Sequence, residues 1–302
     1  MIPNRGYEKH EPLKLLTMTN RRDFLRTTAA FTAATMILPN FAFTGETKII
    51  GLQLYTVRDK IKQDLKSTLE KVAKIGYNSL EAAGYNVTDG TFYGMAPKAF
   101  TELLNGLGMT LNSSHTVFEL DSAEKVIADA ASTGAKYIIY PFLPDQFRTN
   151  LDGWKATAEK FNKIGEIAKK NGIQFGYHNH AFEFEKMEDQ IPYDLLLSQT
   201  DPSLVTFEMD LYWVTKGGYN PVDYFKKYPG RFQLWHVKDM TKTEEMFFAP
   251  VGSGRIDFSS IFAERKTAGM KYFFVEQDSF KDLDAFESIE MSYKYLSQAK
   301  FL

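Results

Sequence analysis

Histidines and acidic residues provide the clearest chemical signal in this sequence. The chain has five histidines and no cysteine among its 302 residues. Any metal ion must therefore be held by imidazole, carboxylate or carbonyl groups, because thiolates are absent. A divalent cation held in this way could bind adjacent oxygens of a substrate and favour the loss of a proton next to a carbonyl group. The residue types thus predict metal-assisted proton transfer.

Four residues at the ends of consecutive predicted strands form the best candidate set of ligands: His178, Asp210, His236 and Glu276. Such donors suit Mn²⁺, Co²⁺, Zn²⁺, Mg²⁺ or Fe²⁺. His178 and His180 are two residues apart on a strand, so both side chains point to the same face. Only one of them needs to bind the metal, and the other could orient the substrate. Glu208 is either a partner of a ligand or a buried polar residue of the interior.

Eight short runs rich in β-branched and aromatic residues alternate with eight segments of helical periodicity from Lys48 onward. The predicted strands are residues 48–56, 79–84, 110–115, 137–142, 173–180, 205–213, 232–239 and 272–278. The predicted helices lie near residues 60–75, 96–107, 122–133, 151–171, 193–199, 221–228, 258–268 and 283–297. Four helices are predicted to end at glycines: Gly76, Gly108, Gly134 and Gly172.

This alternation predicts a single-domain α/β fold, a (β/α)₈ TIM barrel. Active sites of such barrels lie at the carboxyl ends of the strands, and the candidate ligands fall at those ends. Proton transfer needs a further acid or base, and the sequence does not rank the candidates Glu276, His180, Lys238 and Glu81. The residues predicted to contact substrate are His115, Tyr55, Trp213 and Gln277, although packing is the commoner role of single aromatic residues.

Seven short segments carry a family resemblance: residues 51–55, 81–85, 177–180, 209–213, 236–239, 251–257 and 275–278. Together they resemble the xylose isomerase-like TIM barrel family, also known as the AP endonuclease family 2 superfamily. It includes sugar phosphate isomerases and epimerases, inosose dehydratases and, more distantly, endonuclease IV. In the ketose 3-epimerase branch the resemblance implies metal ligands at Asp210, His236 and Glu276. That branch has a glutamate in place of His178, whereas the Tyr-His-x-His segment resembles inosose dehydratases. The resemblance therefore does not imply a mechanism with two symmetric glutamates.

The N-terminal region resembles a twin-arginine export signal. Arg21 and Arg22 precede a Phe-Leu pair and an uncharged Ala/Thr-rich run that is too short to span a bilayer. We expect a signal region over residues 1–44, with translation starting at Met18 on one interpretation, and a barrel over residues 45–302. We therefore expect the protein to be periplasmic and not stably inserted in the membrane. Residues 44–302 carry 30 basic and 35 acidic side chains, a formal charge of −5, which argues against a nucleic-acid partner.

The predicted function is a divalent-metal-dependent isomerase or epimerase acting on a non-phosphorylated sugar or sugar derivative. The sequence has no Gly-rich phosphate cradle, and the periplasm contains few phosphorylated sugars. The first alternative is a lyase of the inosose dehydratase or keto-glycoside-eliminating type. A non-catalytic sugar-binding barrel and an endonuclease-IV-like phosphodiesterase are the remaining alternatives. A small-molecule carbohydrate is the expected partner, and a homo-oligomer is compatible with the sequence.

Overall fold

The computed structural model describes residues 48–302, so the predicted export segment lies outside the described residues. Within this part of the chain, eight parallel strands close into a barrel. They are β1 (Gly51–Gln53), β2 (Ser79–Ala82), β3 (Thr110–His115), β4 (Tyr137–Tyr140), β5 (Gln174–His178), β6 (Val205–Asp210), β7 (Leu234–Val237) and β8 (Tyr272–Val275). Each strand pairs with its neighbours in sequence, and β8 pairs with β1. The predicted (β/α)₈ barrel is confirmed.

Helices follow the strands along residues 48–302. They are α1 (Arg58–Gln63), α2 (Leu65–Ile75), α3 (Pro97–Gly106), α4 (Ala123–Ser132), α5 (Leu151–Lys170), α6 (Pro192–Gln199), α7 (Leu211–Lys216), α8 (Pro221–Lys227), α9 (Phe258–Ala263), α10 (Arg265–Ala268) and α11 (Ala285–Gln298). The four glycines predicted to end helices all have positive φ. None of these helices is long and apolar enough to cross a membrane.

Several strands end earlier than the sequence predicts, because a helical turn begins directly at the carboxyl end. β6, predicted to run to residue 213, ends at Asp210, whose Oδ1 accepts a hydrogen bond from the Trp213 backbone N–H at 2.9 Å. The Asp210 side chain thereby caps α7. β1 ends in the same way at Gln53, whose Oε1 accepts from the Tyr55 backbone N–H at 3.0 Å. β5 ends at His178, so His180 lies in the following loop.

The barrel interior has an apolar layer below a polar one. Ile139, Leu234 and Phe274 are fully buried and pack together. His236 and Glu276 follow two of these residues at a spacing of two, so their side chains point to the same side of the sheet. The polar groups therefore lie between an apolar floor and the carboxyl-end opening of the barrel.

Two antiparallel hairpins extend the loops after β2 and β7. One joins Tyr85–Asn86 to Thr91–Phe92, and the other joins Asp239–Met240 to Phe248–Ala249. The buried Asp239 carboxylate organises the second loop, since it accepts backbone hydrogen bonds at 2.7 to 3.1 Å. The donors are the N–H groups of Met240, Gly252, Gly254 and Ile256. This loop is fixed directly beside Lys238.

Candidate metal centre and active site

The four predicted ligands come together at the carboxyl ends of β5 to β8. His178, Asp210, His236 and Glu276 bring one ligand atom each within 4.8 Å of one another, and all four are buried. Strand register contributes to this arrangement, because Asp210 pairs with His236. The buried Oδ2 of Asp210 has no hydrogen-bond partner within residues 48–302. Two imidazoles and two carboxylates, one with a buried oxygen that accepts no hydrogen bond from the described residues, fit a divalent cation.

Lys238 places a buried positive charge beside these donors. Its Nζ forms ion pairs with Glu276 Oε2 at 2.8 Å and with Asp210 Oδ2 at 2.9 Å. It also donates to both carboxylate oxygens of Asp278 at 3.0 Å. Burial opposes the charged form, but the three carboxylates outweigh it and hold the pKa of Lys238 well above its ordinary value. The side chain is an ammonium ion throughout the physiological pH range.

Two fully buried glutamates, Glu81 and Glu208, lie next to the histidine ligands; we refer to them as the deep carboxylates. The two nitrogens of His236 contact different carboxylates. Nδ1 lies 2.7 Å from Glu276 Oε2, whereas Nε2 lies 2.6 Å from Glu81 Oε2. A carboxylate that accepts the N–H of a metal-binding imidazole fixes both its tautomer and its orientation. Glu81 is placed to do this for His236.

Glu208 is placed to fix the tautomer and orientation of His178, as Glu81 does for His236. Its Oε2 lies 3.0 Å from His178 Nδ1, while His178 Nε2 lies 3.8 Å from Asp210 Oδ2. His115 joins the deep carboxylates, with its Nε2 2.5 Å from Glu208 Oε2 and 3.1 Å from Glu81 Oε2. Burial lowers the pKa of His115, but the two carboxylates outweigh it and raise that pKa to about 9. His115 is therefore a cation held between the two deep carboxylates.

The remaining titratable groups divide into neutral and charged forms. Burial, with the charge of His236, lowers the pKa of His178 well below its ordinary value. Burial and then the Lys238 charge lower the pKa of His180 to about 3, so His180 is neutral at pH 7. Burial raises the pKa of Asp210 to about 6. Lys238 and His236 outweigh burial at Glu276 and hold its pKa well below the usual range. A neutral imidazole, an ammonium ion and an ionised carboxylate thus lie close together.

A cavity of about 610 Å³ opens above these groups, within the range of ligand pockets. Its polar lining comes mainly from His115, His178, His180, Lys238, Glu276 and Asp278. Three of the predicted catalytic residues, Glu276, His180 and Lys238, therefore face the cavity. Glu81 does not, because it is fully buried and bonded to His236 and to Gln53 Nε2 at 2.8 Å.

Of the four residues predicted to contact substrate, two line the cavity and two do not. Tyr55 and His115 line the cavity. Trp213 does not, and its ring packs 5.5 Å from His180 and 5.8 Å from Phe248. Gln277 also lies apart from the cavity lining, because its Oε1 accepts from Ser288 Oγ at 2.6 Å and its Nε2 donates to a backbone carbonyl. Trp213 supports His180, and Gln277 ties β8 to α11.

Sequence reasoning did not single out Glu183, which holds the loop carrying His180. Its Oε2 accepts from the His180 backbone N–H at 2.9 Å, and its Oε1 accepts from the Tyr177 hydroxyl at 2.6 Å. Burial raises the pKa of Glu183 to about 7, against the effect of these hydrogen bonds. The available sequence signal was an acidic residue between Phe182 and Phe184, where a carboxylate is buried only if it has partners.

Comparison with known proteins places this geometry in a family. The sequence profile of the family described as xylose isomerase-like TIM barrel matches residues 69–295. The chain belongs to this family. It is 32% identical over 138 residues to an inosose dehydratase of Clostridium beijerinckii, covering 40% of this chain and 46% of the relative. It is 31% identical over 157 residues to an inosose dehydratase of Clostridium botulinum, covering 46% and 52%. The chain thus matches about half the length of these curated relatives.

A solved structure of the same architecture matches over almost its whole length. It is described as a sugar phosphate isomerase/epimerase from Parabacteroides distasonis, with a TM-score of 0.78 and 32% identity. The match covers 86% of this chain and 97% of that chain. The relatives with matching sequence or fold are thus named as inosose dehydratases and as a sugar phosphate isomerase/epimerase.

Proposed function

We propose that this protein is a divalent-metal-dependent sugar lyase. It would remove a proton next to a carbonyl group of a sugar or cyclitol and expel an oxygen substituent from the neighbouring carbon. The observation that carries the proposal is the asymmetry of the groups facing the cavity. His180 is neutral and Lys238 is cationic, and both lie beside a buried set of metal ligands.

The metal would be held by His178, Asp210, His236 and Glu276. A divalent cation bound there supplies a Lewis acid for the negative charge that develops on the substrate oxygens. The protein's own groups supply the proton transfers. The Nδ1 of His180 is buried and has no hydrogen-bond partner within the described residues. We assign His180 as the base, because it is a neutral imidazole at the cavity with a ring nitrogen free to accept the proton from carbon.

Lys238 would act as the acid in the same reaction. The carbon–hydrogen bond breaks and its proton passes to His180, a carbon–carbon double bond forms, and the carbon–oxygen bond to the leaving group breaks. Lys238 Nζ gives a proton to the departing oxygen, and the proton on His180 later restores the lysine through solvent. This elimination needs no oxidant or reductant, because the electrons of the carbon–hydrogen bond remain in the product.

The asymmetry favours elimination over epimerisation. Epimerisation needs two groups that can exchange a proton with opposite faces of one carbon. The strand 5 position that holds a glutamate in the epimerase branch is His178, which is bonded to Glu208. Elimination needs one base and one acid, and the described residues offer both. The inosose dehydratase relatives support the same choice, which reverses the order of the two alternatives derived from the sequence.

An isomerase or epimerase is the second candidate, favoured by the Parabacteroides distasonis structure that matches over 97% of its length. The two candidates differ in product. Elimination gives an unsaturated sugar and releases water or an alcohol, whereas epimerisation in D₂O gives an isomer that carries deuterium at carbon.

The test is metal analysis of the purified protein, followed by assays of the metal-loaded enzyme with keto-sugars, inososes and 3-keto-glycosides. We expect one divalent ion in the centre formed by the four ligands and an unsaturated product from at least one substrate class. A deuterated isomer without unsaturated product would support the epimerase instead. Sugar binding without turnover after Mn²⁺, Co²⁺ or Zn²⁺ is supplied would support a non-catalytic binding barrel.

We also propose that the protein reaches the periplasm through the twin-arginine route. The support is the sequence pattern at Arg21 and Arg22, followed by the uncharged run that ends near residue 38. A periplasmic enzyme would meet free sugars, cyclitols and glycosides more often than sugar phosphates.

A further inference from the structure

The cavity has a second zone that the proposed chemistry does not use. Apart from His115 and Thr116, the loops after β1 to β4 contribute residues with mostly apolar surfaces: Tyr55, Ala83, Tyr85, Val117, Pro141 and Phe142. The metal ligands, by contrast, all come from β5 to β8. Three of the apolar group remain markedly exposed: Tyr55 (44%), Val117 (45%) and Phe142 (38%). We refer to these three residues as the apolar rim.

The Tyr55 ring is held in place despite its exposure. The guanidinium carbon of Arg58 lies 4.1 Å from the ring centroid. Arg58 also donates to the backbone carbonyl of Tyr55 at 2.9 Å and to that of Asp278 at 2.7 Å. These bonds join the start of α1 to the loop after β8. The ring therefore presents a fixed surface to the cavity.

Phe142 is similarly fixed on the other side of the rim. Its ring packs edge-on against His180 and Phe182, with centroid distances of 5.4 and 5.5 Å. The guanidinium carbon of Arg148 lies 3.7 Å from the Phe182 centroid and 5.5 Å from that of Phe142. Phe142 is thus in contact with the proposed base, His180.

The size of the cavity exceeds the needs of a single sugar ring. A hexose has about a dozen non-hydrogen atoms, fewer than the drug-sized ligands that cavities of this class enclose. Ordered aromatic side chains pack against planar rings, and such pairs are more favourable than the buried area alone accounts for. A second ring attached to the reacting sugar would cover the apolar rim and use the remaining volume.

We propose that the apolar rim is a subsite for a second ring, and that the substrate is a sugar bearing an O-linked ring substituent. This inference rests on the proposed function, because the departing oxygen would carry the second ring. The carbon–oxygen bond to that ring breaks, Lys238 supplies the proton to the oxygen, and the products are an unsaturated sugar and a free alcohol or phenol. The ring is either a second sugar or an aromatic group.

The test compares ligands that differ only in the second ring. Binding to the metal-loaded protein is measured calorimetrically for methyl β-D-glucoside, phenyl β-D-glucoside and cellobiose. We expect at least one two-ring ligand to bind about tenfold more tightly than the methyl glucoside. Preference for the phenyl glucoside would indicate an aromatic group, and preference for cellobiose a second sugar.

Two variants and a matched control locate the effect. Tyr55→Ala and Phe142→Ala are each expected to bring the affinity ratio of two-ring to methyl ligand toward one. Met291→Ala removes an equally exposed apolar side chain (43%) from α11, away from the cavity lining, and should leave the ratio unchanged. Thermal unfolding of all three variants shows whether the fold is retained.

Three results would overturn the subsite: equal affinities for all ligands, an unchanged ratio in both rim variants, or no binding of any ligand. A tenfold preference that disappears in the rim variants, combined with no unsaturated product from any keto-glycoside, would uphold the subsite and contradict the lyase proposal. The two proposals therefore fail separately.

Discussion

At the scale of single residues, Asp210 combines a structural bond with an available metal ligand. Its Oδ1 caps α7, and its Oδ2 lies beside Lys238 without a hydrogen-bond partner in the described chain. Asn179 adds to this placement, because its Oδ1 accepts the Asp210 backbone N–H at 3.1 Å. The carboxylate is therefore held by the end of β5 and the start of α7 before any ion binds.

The ligand assignment predicts the outcome of two substitutions. Glu276→Gln and His236→Ala should abolish turnover and weaken metal affinity by more than the roughly 10- to 100-fold that loss of an outer partner causes. Metal titration calorimetry and thermal unfolding check this. Glu290→Gln makes the same chemical change as the first variant on an exposed face of α11 and serves as the control. Full activity in either ligand variant would show that the assignment is wrong.

The deep carboxylates give a second prediction. Glu208→Gln replaces an acceptor by a group that can also donate, so the tautomer of His178 is no longer fixed. We expect metal affinity to fall about 10- to 100-fold with the fold retained. Calorimetry with Zn²⁺ measures the affinity, and Glu290→Gln is again the control. An affinity within twofold of the parent protein would contradict the proposed role.

The sequence could predict which residues meet, but less about what each would contact. His178, Asp210, His236 and Glu276 end consecutive strands, and parallel strands bring such ends to one opening. The role of Glu208 depends on whether its carboxylate reaches a histidine of another strand, which spacing alone does not determine. The side chain of Gln277 is directed to α11 by its bond to Ser288, a residue of a distant helix.

At the scale of elements, the loop around Asp239 depends on the small size of Gly254. A Cβ at this position would collide with the Met240 carbonyl oxygen and the Asp239 carboxylate. Gly254→Ala should therefore lower the free energy of unfolding by about 1–3 kcal/mol, as overpacking commonly does.

Urea denaturation measures this change, with Gly106→Ala as the matched control. Gly106 is the last residue of α3, and a Cβ there has no heavy atom within 4 Å among its described neighbours. That variant should be neutral or slightly stabilising, since alanine favours helix. Equal stability of the two variants would contradict the close packing around Gly254.

The turn Phe182–Phe184 should make stability depend on pH through Glu183. Burial raises its pKa from 4.5 to about 7 in the folded protein. The folded protein therefore holds the Glu183 proton more tightly than the unfolded chain does. This proton stabilises the fold fully below the unfolded pKa of 4.5, and the stabilisation, on the order of 3 kcal/mol, is lost as pH rises through the folded pKa of about 7. Glu183→Gln should be less stable at low pH, because one hydrogen bond is impaired, but should have a shallower pH dependence.

The measurement is the free energy of unfolding in urea at several pH values from about 5 to 8. The difference between parent and variant curves isolates Glu183 from Asp210, whose pKa is also raised. Parallel curves would show that Glu183 stays ionised across this range.

Element type was predictable here, whereas several element ends were not. The alternation of β-branched runs and amphipathic segments is a local signal, and it gave eight strands in the right order. The end of β6 was missed because Leu211, Tyr212 and Trp213 have strand-like composition. The capping bond from Asp210 overrides that local preference.

At the scale of the whole molecule, the export proposal makes a separate prediction. Replacing Arg21 and Arg22 together by lysine keeps the charge but removes the paired guanidinium groups. The protein should then remain in the cytoplasm, as shown by cell fractionation and immunoblotting. Arg26→Lys, four residues further along, should be exported normally. Periplasmic accumulation of the double variant would contradict the twin-arginine assignment.

The carboxylates around Lys238 and the buried histidines also connect metal binding to folding. Glu81, Glu208, Asp210 and Glu276 are all buried in one small volume. An ion that binds only the folded chain stabilises it in proportion to the logarithm of its free concentration over its dissociation constant. If the chain crosses the membrane already folded, the ion is acquired before export. Its identity would then reflect the metal supply of the cytoplasm in which the protein folds, rather than that of the compartment in which it works.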